Sequence, residues 1–272
     1  MAAVAPPSGA PVGFPRVRLD LPAGYRPVPL DADPLVRLAR TERMVRMMFP
    51  AADDAQLAAA TAHFSAVADL QGGNGVAAAA LRYSRAGDEF TAAYVSCALT
   101  PLDYESVEVA AMGIFDSFTT PDLPAADLAA EPPPDGLPRA DGLPPLAGGV
   151  AGDDGPGVFR DGRYVVGVAL PCGPAVALTE LRTVRVEAAE SPSGEAAGVD
   201  VGVLQVHVPV KEFQCLFVLT LTTPVLAEFG PRCLDGAAMA MSLRFSSPDG
   251  GGEIGWRPHG LIGAAALGHD RR

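Results

Sequence analysis

The chain has 272 residues, of which 49% are apolar and 19% are charged, and its formal net charge is −12. This length accommodates one large hydrophobic core or two modest ones. The negative charge argues against a nucleic-acid-binding protein, because basic side chains that neutralise phosphates supply most of the affinity in that class. We therefore predict no nucleic-acid partner.

The chain begins with a proline-rich stretch that we predict to be a disordered tail over residues 1–24. It has neither the basic segment nor the continuous apolar segment of a signal peptide. The longest strongly apolar run, residues 215–226, is shorter than the roughly 20 residues that a membrane-spanning helix needs. These features predict a cytoplasmic protein without membrane insertion.

The N-terminal half, residues 25–118, is predicted to combine helices with one hairpin. A short edge strand comes first, since two prolines within residues 25–30 forbid a central position in a sheet. Two helices follow, one over residues 34–49 and one from Asp53 to the glycine-rich residues 72–75. In the second helix the apolar side chains recur every three to four positions, as they do on one face of a helix.

A hairpin of two strands, residues 76–83 and 90–99, and a third helix over residues 104–118 complete this half. Residues 119–160 then hold nine prolines and seven glycines, and residues 101–160 carry eleven acidic residues against two arginines. That composition cannot bury enough apolar surface to fold, so we predict an acidic linker or loop over residues 119–160.

The C-terminal half, residues 161–246, is predicted to be rich in strands that share one core with the first half. Residues 164–170 and 175–187 flank a tight Pro-Cys-Gly-Pro turn and read as a hairpin. Apolar side chains alternate over residues 201–210, which predicts a strand with one buried face, whereas residues 213–222 are apolar on both faces and fit the middle of a sheet.

Two threonines before Pro224 predict a helix that begins at about that proline, followed by a last strand over residues 242–246. Residues 247–272 are glycine-rich and are predicted to be a flexible tail. The expected fold class is α+β, with an antiparallel sheet of about six to seven strands covered by helices.

The order of these elements resembles the Mog1/PsbP-like fold, a group that includes actinobacterial lipoproteins of the LpqN type. The resemblance is carried by residues 217–224 (FVLTLTTP), the helix over residues 225–240, the closing strand and the turn at residues 171–174. It covers residues 160–246 best. No lipoprotein cysteine lies near the start, so membrane anchoring is not implied.

Members of that fold act mostly in binding and assembly, so the resemblance implies interaction and not catalysis. The expected function is a non-enzymatic adaptor or accessory factor in an actinobacterial assembly, such as a secretion-related one, with a protein partner. The alternative is a small-molecule sensor or enzyme with a pocket between the sheet and the helices.

No pattern of catalytic or metal-ligating residues stands out. The four histidines form no HExxH motif and stand at no metal-ligand spacing, and the four cysteines are far apart, which predicts buried free thiols. Cys172, in the predicted turn, is the one thiol considered as a nucleophile, but nothing cationic flanks it to lower its pKa. We predict no catalytic residue, no metal and no cofactor.

The helix over residues 34–49 has the most suggestive surface. Arg37, Arg40, Arg43 and Arg46 recur every three residues, and methionines crowd the end of the helix. Arginine and methionine are common at adaptable interfaces, although a solvated basic face explains the same spacing. The candidate partner-binding residues are Arg37, Arg40, Arg43, Met44, Met47, Met48 and, in the C-terminal tail, Trp256.

A possible pocket for the alternative function centres on His207, which faces away from the apolar side of its strand together with Gln205. Glu180 and Arg185 of the neighbouring hairpin are the expected partners, in a modest acid/base or ligand-binding group. A solvated or singly hydrogen-bonded histidine is the competing interpretation.

Overall fold

The structure is a computed structural model that describes residues 14–73, 76–86, 89–120, 157–160, 162–186, 195–247 and 253–254. Its helices are α1 (Pro34–Met48), α2 (Asp54–Gly73), α3 (Val107–Thr119) and α4 (Phe229–Ser242). Its strands are β1 (Arg16–Arg18), β2 (Tyr25–Pro27), β3 (Val76–Ala86), β4 (Glu89–Pro101), β5 (Val158–Arg160), β6 (Arg163–Leu170), β7 (Gly173–Val186), β8 (Ala197–Val210), β9 (Cys215–Thr223), β10 (Arg244–Ser246) and β11 (Glu253–Ile254).

Eight of these strands form one antiparallel sheet in the order β2-β3-β4-β9-β8-β7-β6-β5. The predicted α+β class with an antiparallel sheet is confirmed, with eight strands in place of six to seven. The additional strand is β5 at one edge, which pairs with β6 over only three residues, whereas the short strand at the other edge, β2, lies within the predicted residues 25–30. Short strands leave a weak periodic pattern in a sequence.

Strand β9 lies in the middle of the sheet, as its apolar sequence predicts. Phe217, Leu219 and Leu221 are fully buried on one face, and the alternate residues are half-buried on the other. β9 pairs with β4 of the N-terminal half and with β8 of the C-terminal half. Strands from both halves of the chain therefore belong to one sheet.

One face of the sheet, which we call the α4 face, carries the larger core. Leu204 and Phe217 of the sheet pack with Phe229 and Met239 of α4 and with Phe245 of β10. Gly202 and Gly236 permit this approach, because a Cβ at Gly202 would lie 2.5 Å from the Phe229 ring. The helix therefore lies close against β8.

The opposite face, which we call the helical face, is covered by the other three helices. Met44 and Val45 of α1 and Phe64 of α2 pack on the part of the sheet near β3. α3 packs on β6, β7 and β8, where it buries Val165, Val176 and Leu178. The sheet is therefore the middle layer of three.

The prediction that β8 has only one buried face is wrong for its C-terminal part. Val203 and His207 point to the helical face and are buried there. The residues that alternate with them point to the α4 face, and most of these are buried as well. The physical reason is α3, which covers that part of the helical face although its sequence lies about 90 residues away.

The last helix begins at Phe229 and not at Pro224. Thr223 Oγ1 accepts a hydrogen bond from Val225 N at 3.2 Å and donates one to Ala92 O at 3.0 Å, which holds the end of β9 against β4. Residues Leu226–Glu228 then form a 3-10 turn. The α-helix starts only where Phe229 reaches the space above Gly202.

The predicted closing strand exists as β10, but it lies outside the large sheet. Both neighbours of β9 are already occupied, so a strand that follows α4 has no free position beside β9. β10 instead pairs with β1 and β11 in a separate three-stranded sheet. Both predicted tails therefore contain a short strand. Residues 16–18 of the predicted tail 1–24 form β1, and residues 253–254 of the predicted tail 247–272 form β11.

The predicted acidic linker at residues 119–160 falls mainly outside the described residues, apart from the end of α3 and strand β5. Within the described part of the chain, no helix is both long and apolar enough to span a bilayer.

We expect Gly202→Ala to destabilise the protein by about 1–3 kcal/mol, because the added methyl group overlaps the buried Phe229 ring. Urea unfolding followed by circular dichroism measures the change. Gly113→Ala in α3 is the matched control, since a Cβ there meets nothing within 4 Å, and alanine favours a helix. Equal stability of Gly202→Ala and the parent protein would contradict the close contact of α4 with β8.

Candidate functional site

Helix α1 is defined at both ends by local interactions. The Asp33 carboxylate accepts hydrogen bonds from Leu35 N at 2.8 Å and Val36 N at 3.4 Å, and Pro34 occupies the first turn. The helix ends where Phe49 N donates to Val45 O at 2.9 Å. The predicted helix over residues 34–49 is confirmed, and its position in the fold decides which of its side chains are available to a partner.

The inner side of α1 is used for packing. Thr41, Met44 and Val45 are buried against α2 and the sheet, and Met44 is only 3% exposed. Met48 is half-buried in the same cluster. The prediction that Met44 contacts a partner is therefore wrong, because a residue in the core offers no surface.

The opposite side of α1 is exposed and apolar as well as basic. Leu35 is 77% and Met47 is 62% exposed, and Val36 lies between them on the outside of the helix. Arg40, Arg43 and Arg46 share this side with one exposed acidic residue, Glu42. We call Leu35, Val36, Arg40, Arg43, Arg46 and Met47 the α1 outer surface.

The arginines of α1 differ in how they are used. Arg37 is bound to Asp69 of α2 and donates to Asp31 O at 2.6 Å, so it fastens α1 to its neighbours and is mostly buried. Arg40 pairs with Asp31 at 2.9 Å but remains largely exposed. Arg43 and Arg46 make no ion pair with any residue in the described ranges.

Sequence reasoning therefore identified part of this surface and missed the rest. Met47, Arg40 and Arg43 are on it, whereas Leu35, Val36 and Arg46 were not among the candidate partner-binding residues. Projection of the helix at 100° per residue would have found them, because they lie opposite the apolar strip of Met44 and Val45. Trp256, the remaining candidate, lies outside the described residues.

The possible pocket around His207 is closed. The His207 ring is 9% exposed and lies under α3, with its centroid 5.1 Å from that of Phe118. Its Nε2 is 3.2 Å from Gln205 Oε1, which is its hydrogen-bond partner on the same strand. Burial lowers the pKa of His207 to about 4, so the ring is neutral at physiological pH.

The structure does not bring Arg185 to His207. His207 is paired with Val176 across the β7–β8 ladder, whereas Arg185 is paired with Gly198, nine residues further along β7. At about 3.3 Å per residue these positions are roughly 30 Å apart, and the odd number of steps puts the two side chains on opposite faces. The predicted grouping of these two residues is wrong.

Glu180 shares the helical face with His207 but belongs to a different cluster. It is only 3% exposed. Its carboxylate accepts a hydrogen bond from Arg163 Nε at 2.8 Å and another from the guanidinium of Arg182. Two cations compensate the one buried carboxylate, as a buried charge requires. Glu180 therefore fastens β6 to β7 and is not available as an acid or base.

A cavity of about 10 Å³ lies beside Leu19, Leu21, Val95 and Cys97, which is space for about one water molecule in an apolar setting. This cavity is too small for a metabolite. No group of three acidic, histidine or cysteine side chains among the described residues is placed to hold a metal ion.

The four cysteines are free thiols, three buried and one, Cys172, half-buried against the core. Burial raises the pKa of the Cys172 thiol to about 11, and the pKa values of the other three to between about 11 and 12. A thiol with such a pKa is a poor nucleophile at neutral pH. The turn at residues 171–174 thus gives no support to a nucleophilic Cys172.

Comparison with protein-family models, with curated proteins and with solved structures finds no match for this chain. The conclusion about function is therefore drawn from the exposed surfaces and buried groups of the molecule itself.

We expect acid to destabilise the protein through His207. The folded-state pKa of about 4 lies below the ordinary value of 6.5, so the unfolded chain binds a proton in the interval where the folded protein does not. The stability is complete above pH 6.5 and falls as the pH drops towards 4, by up to about 3 kcal/mol. The free energy of unfolding from urea titrations at intervals between pH 7.5 and 4 measures this loss.

His207→Gln is the control, because a neutral amide does not titrate in that range. Carboxylates titrate in both proteins, so the quantity of interest is the difference between the two pH profiles. Parallel profiles would show that His207 is not held in a buried, neutral state.

Proposed function

We propose that this protein is a non-enzymatic interaction protein, an adaptor or accessory factor, that binds an acidic partner segment through the α1 outer surface. The single observation that supports this proposal is the exposure of Leu35 and Met47 beside Arg43 and Arg46, which make no ion pair within the described residues. A likeness to the Mog1/PsbP-like fold, whose members mostly bind or assemble, is in keeping with it.

The apolar part of the surface supplies affinity. Removal of Leu35, Val36 and Met47 from water stabilises a complex at about 25 cal/mol per Å² of apolar surface. The helix is already fixed by its Asp33 cap and by the Arg37 contact with Asp69, so little backbone order is lost on binding. Methionine and arginine are also enriched at interfaces.

The charges of the surface select the partner. The chain as a whole has a net charge of −12, whereas this surface carries Arg40, Arg43 and Arg46. A basic patch on an acidic protein attracts acidic segments. The chemistry that fits is a partner segment in which acidic residues flank apolar side chains.

The test places a photo-crosslinking residue at Met47 and, as a matched control, at Met241. Met241 is also an exposed methionine near the end of a helix, but it lies on α4. We expect the residue at position 47 to crosslink a partner in cells and the residue at position 241 not to do so. Mass spectrometry of the crosslinked peptide should show a segment rich in acidic residues.

We expect Arg43→Glu combined with Arg46→Glu to weaken the crosslinking at position 47 about tenfold, because two attractive charges become repulsive. Arg16→Glu combined with Arg18→Glu introduces the same change of net charge on exposed positions of β1 and should leave the crosslinking unchanged. Equal yields from positions 47 and 241, or equal effects of the two charge reversals, would contradict the proposal.

The alternative function, a small-molecule sensor or enzyme near His207, receives no support from the closed packing under α3. A panel of metabolites tested by thermal denaturation distinguishes the two functions, since a bound ligand raises the melting temperature. A ligand whose stabilising effect disappears in His207→Gln would favour the alternative.

A further inference from the structure

The strand β6 has an open edge over part of its length. β5 pairs with β6 only at Arg163–Val165, so residues 166–170 have β7 on one side and no described strand on the other. Gly157, just before β5, lies so close to the Tyr164 hydroxyl that a Cβ would overlap it. Among the described residues, nothing pairs with β6 on this side beyond Val165.

The register shows which backbone groups face the open edge. In the β5–β6 pair the last register position places Arg160 opposite Arg163, and in the β6–β7 pair Leu170 lies opposite Gly173. The residues that close such a hairpin exchange hydrogen bonds, and the direction of the bonds alternates along an antiparallel strand. Even-numbered residues of β6 thus bond to β7, and the N–H and C=O groups of Gly167 and Ala169 point outwards.

The edge lacks the features that keep strands from pairing with other chains. Residues 166–170 read Val-Gly-Val-Ala-Leu, without a charge or a proline. The other edge of the sheet, β2, carries Arg26 and Pro27. Natural proteins protect exposed edges with charges, prolines or bulges, so the unprotected edge indicates a place for another strand.

We propose that the β6 edge pairs with the β6 edge of a second copy of this chain, antiparallel and about a two-fold axis at Val168. In this register Gly167 faces Ala169 of the second copy, and the outward groups of both residues form four hydrogen bonds. Val168 faces itself, and Val166 faces Leu170. These valines and Leu170 already pack against the core on the α4 face, so the apolar layer continues from one copy into the other.

The length of the open edge favours a second copy over an unrelated strand. The free segment of five residues is closed at one end by β5 and at the other by the turn at Pro171. A second copy presents a segment of the same length, closed in the same way, and a two-fold axis satisfies both copies at once. A paired segment of about 17 Å is short, so the dimer is expected to be weak and to form at micromolar concentrations.

This pairing is separate from the proposed function and has a consequence for it. The β6 edge is about five strands, or roughly 24 Å, from the part of the sheet near β3 that α1 and α2 cover. Both α1 outer surfaces stay exposed in the dimer. Two such surfaces in one particle raise the apparent affinity for a partner that has two acidic segments.

The first test measures the oligomeric state by sedimentation velocity from about 5 to 500 μM, the range in which a short interface associates. The full-length protein should shift from monomer to dimer. Ala169→Pro removes an outward N–H and keeps the ladder with β7, so it should weaken the dimer at least tenfold. Ala169→Val keeps that N–H and should dimerise as the parent protein does.

Gly167→Lys provides a second variant, because a Cβ there meets nothing within 4 Å and a lysine protects an edge strand. It should also remain monomeric, with circular dichroism like that of the parent protein. A parent protein that stays monomeric at 500 μM would overturn the proposal. So would a dimer that survives Ala169→Pro and Gly167→Lys, or an edge that binds a different protein in a monomeric chain.

The second test fixes the register by disulfide formation in a Cys172→Ser background. Val168→Cys should form a dimer on oxidation, because facing residues of a non-hydrogen-bonded pair have Cα atoms about 4.5 Å apart, within the range of a disulfide. Val166→Cys faces Leu170 and should not form one. Equal crosslinking at both positions would exclude this two-fold axis.

Discussion

The pairing of β9 with β4 on one side and β8 on the other is the interaction on which the rest of the molecule depends. β4 and β9 are about 120 residues apart in the chain, whereas β8 directly precedes β9. The two pairings together place Phe217, Leu219 and Leu221 at the centre of the core. α4 follows β9 directly and covers one face, while α1, α2 and α3 come from the other half of the chain and cover the opposite face. Without this pairing, neither face would have a continuous surface on which helices pack.

Coverage of both faces also buries or pairs several of the described groups that are capable of chemistry. His207 is closed under Phe118, Glu180 is held by two arginines, and Arg232 of α4 is bound to Asp235 at 2.7 Å. Buried polar groups of this kind are stable only when they are paired, and here their partners lie within the chain. Among the described residues, the α1 outer surface and the edge of β6 remain exposed, and these are the two surfaces for which we propose partners.

The positions of most helices and strands could be predicted from the sequence. Which side of a helix remains exposed in the fold was harder to predict. Pro34 at its start and Pro50 just beyond its end locate α1 to within one residue, because the effect of a proline on the backbone is local. The candidate partner-binding residues were chosen from that helix by spacing alone, and this choice included Met44 and Arg37, which the fold uses internally. Only the positions of α2 and the sheet show which side of α1 remains free.

The sequence by itself determined the α+β class, the central position of β9 and the ends of most helices, since these depend on periodicity and on capping within a few residues. The tertiary structure decided that β8 is buried on both faces, that the last helix begins only at Phe229 and that β10 lies outside the large sheet. It also decided that residues 166–170 of β6 have a partner strand on only one side among the described residues. Each of these outcomes depends on contacts between residues far apart in the chain, such as α3 on β8 and Phe229 on Gly202, and no local pattern encodes such contacts.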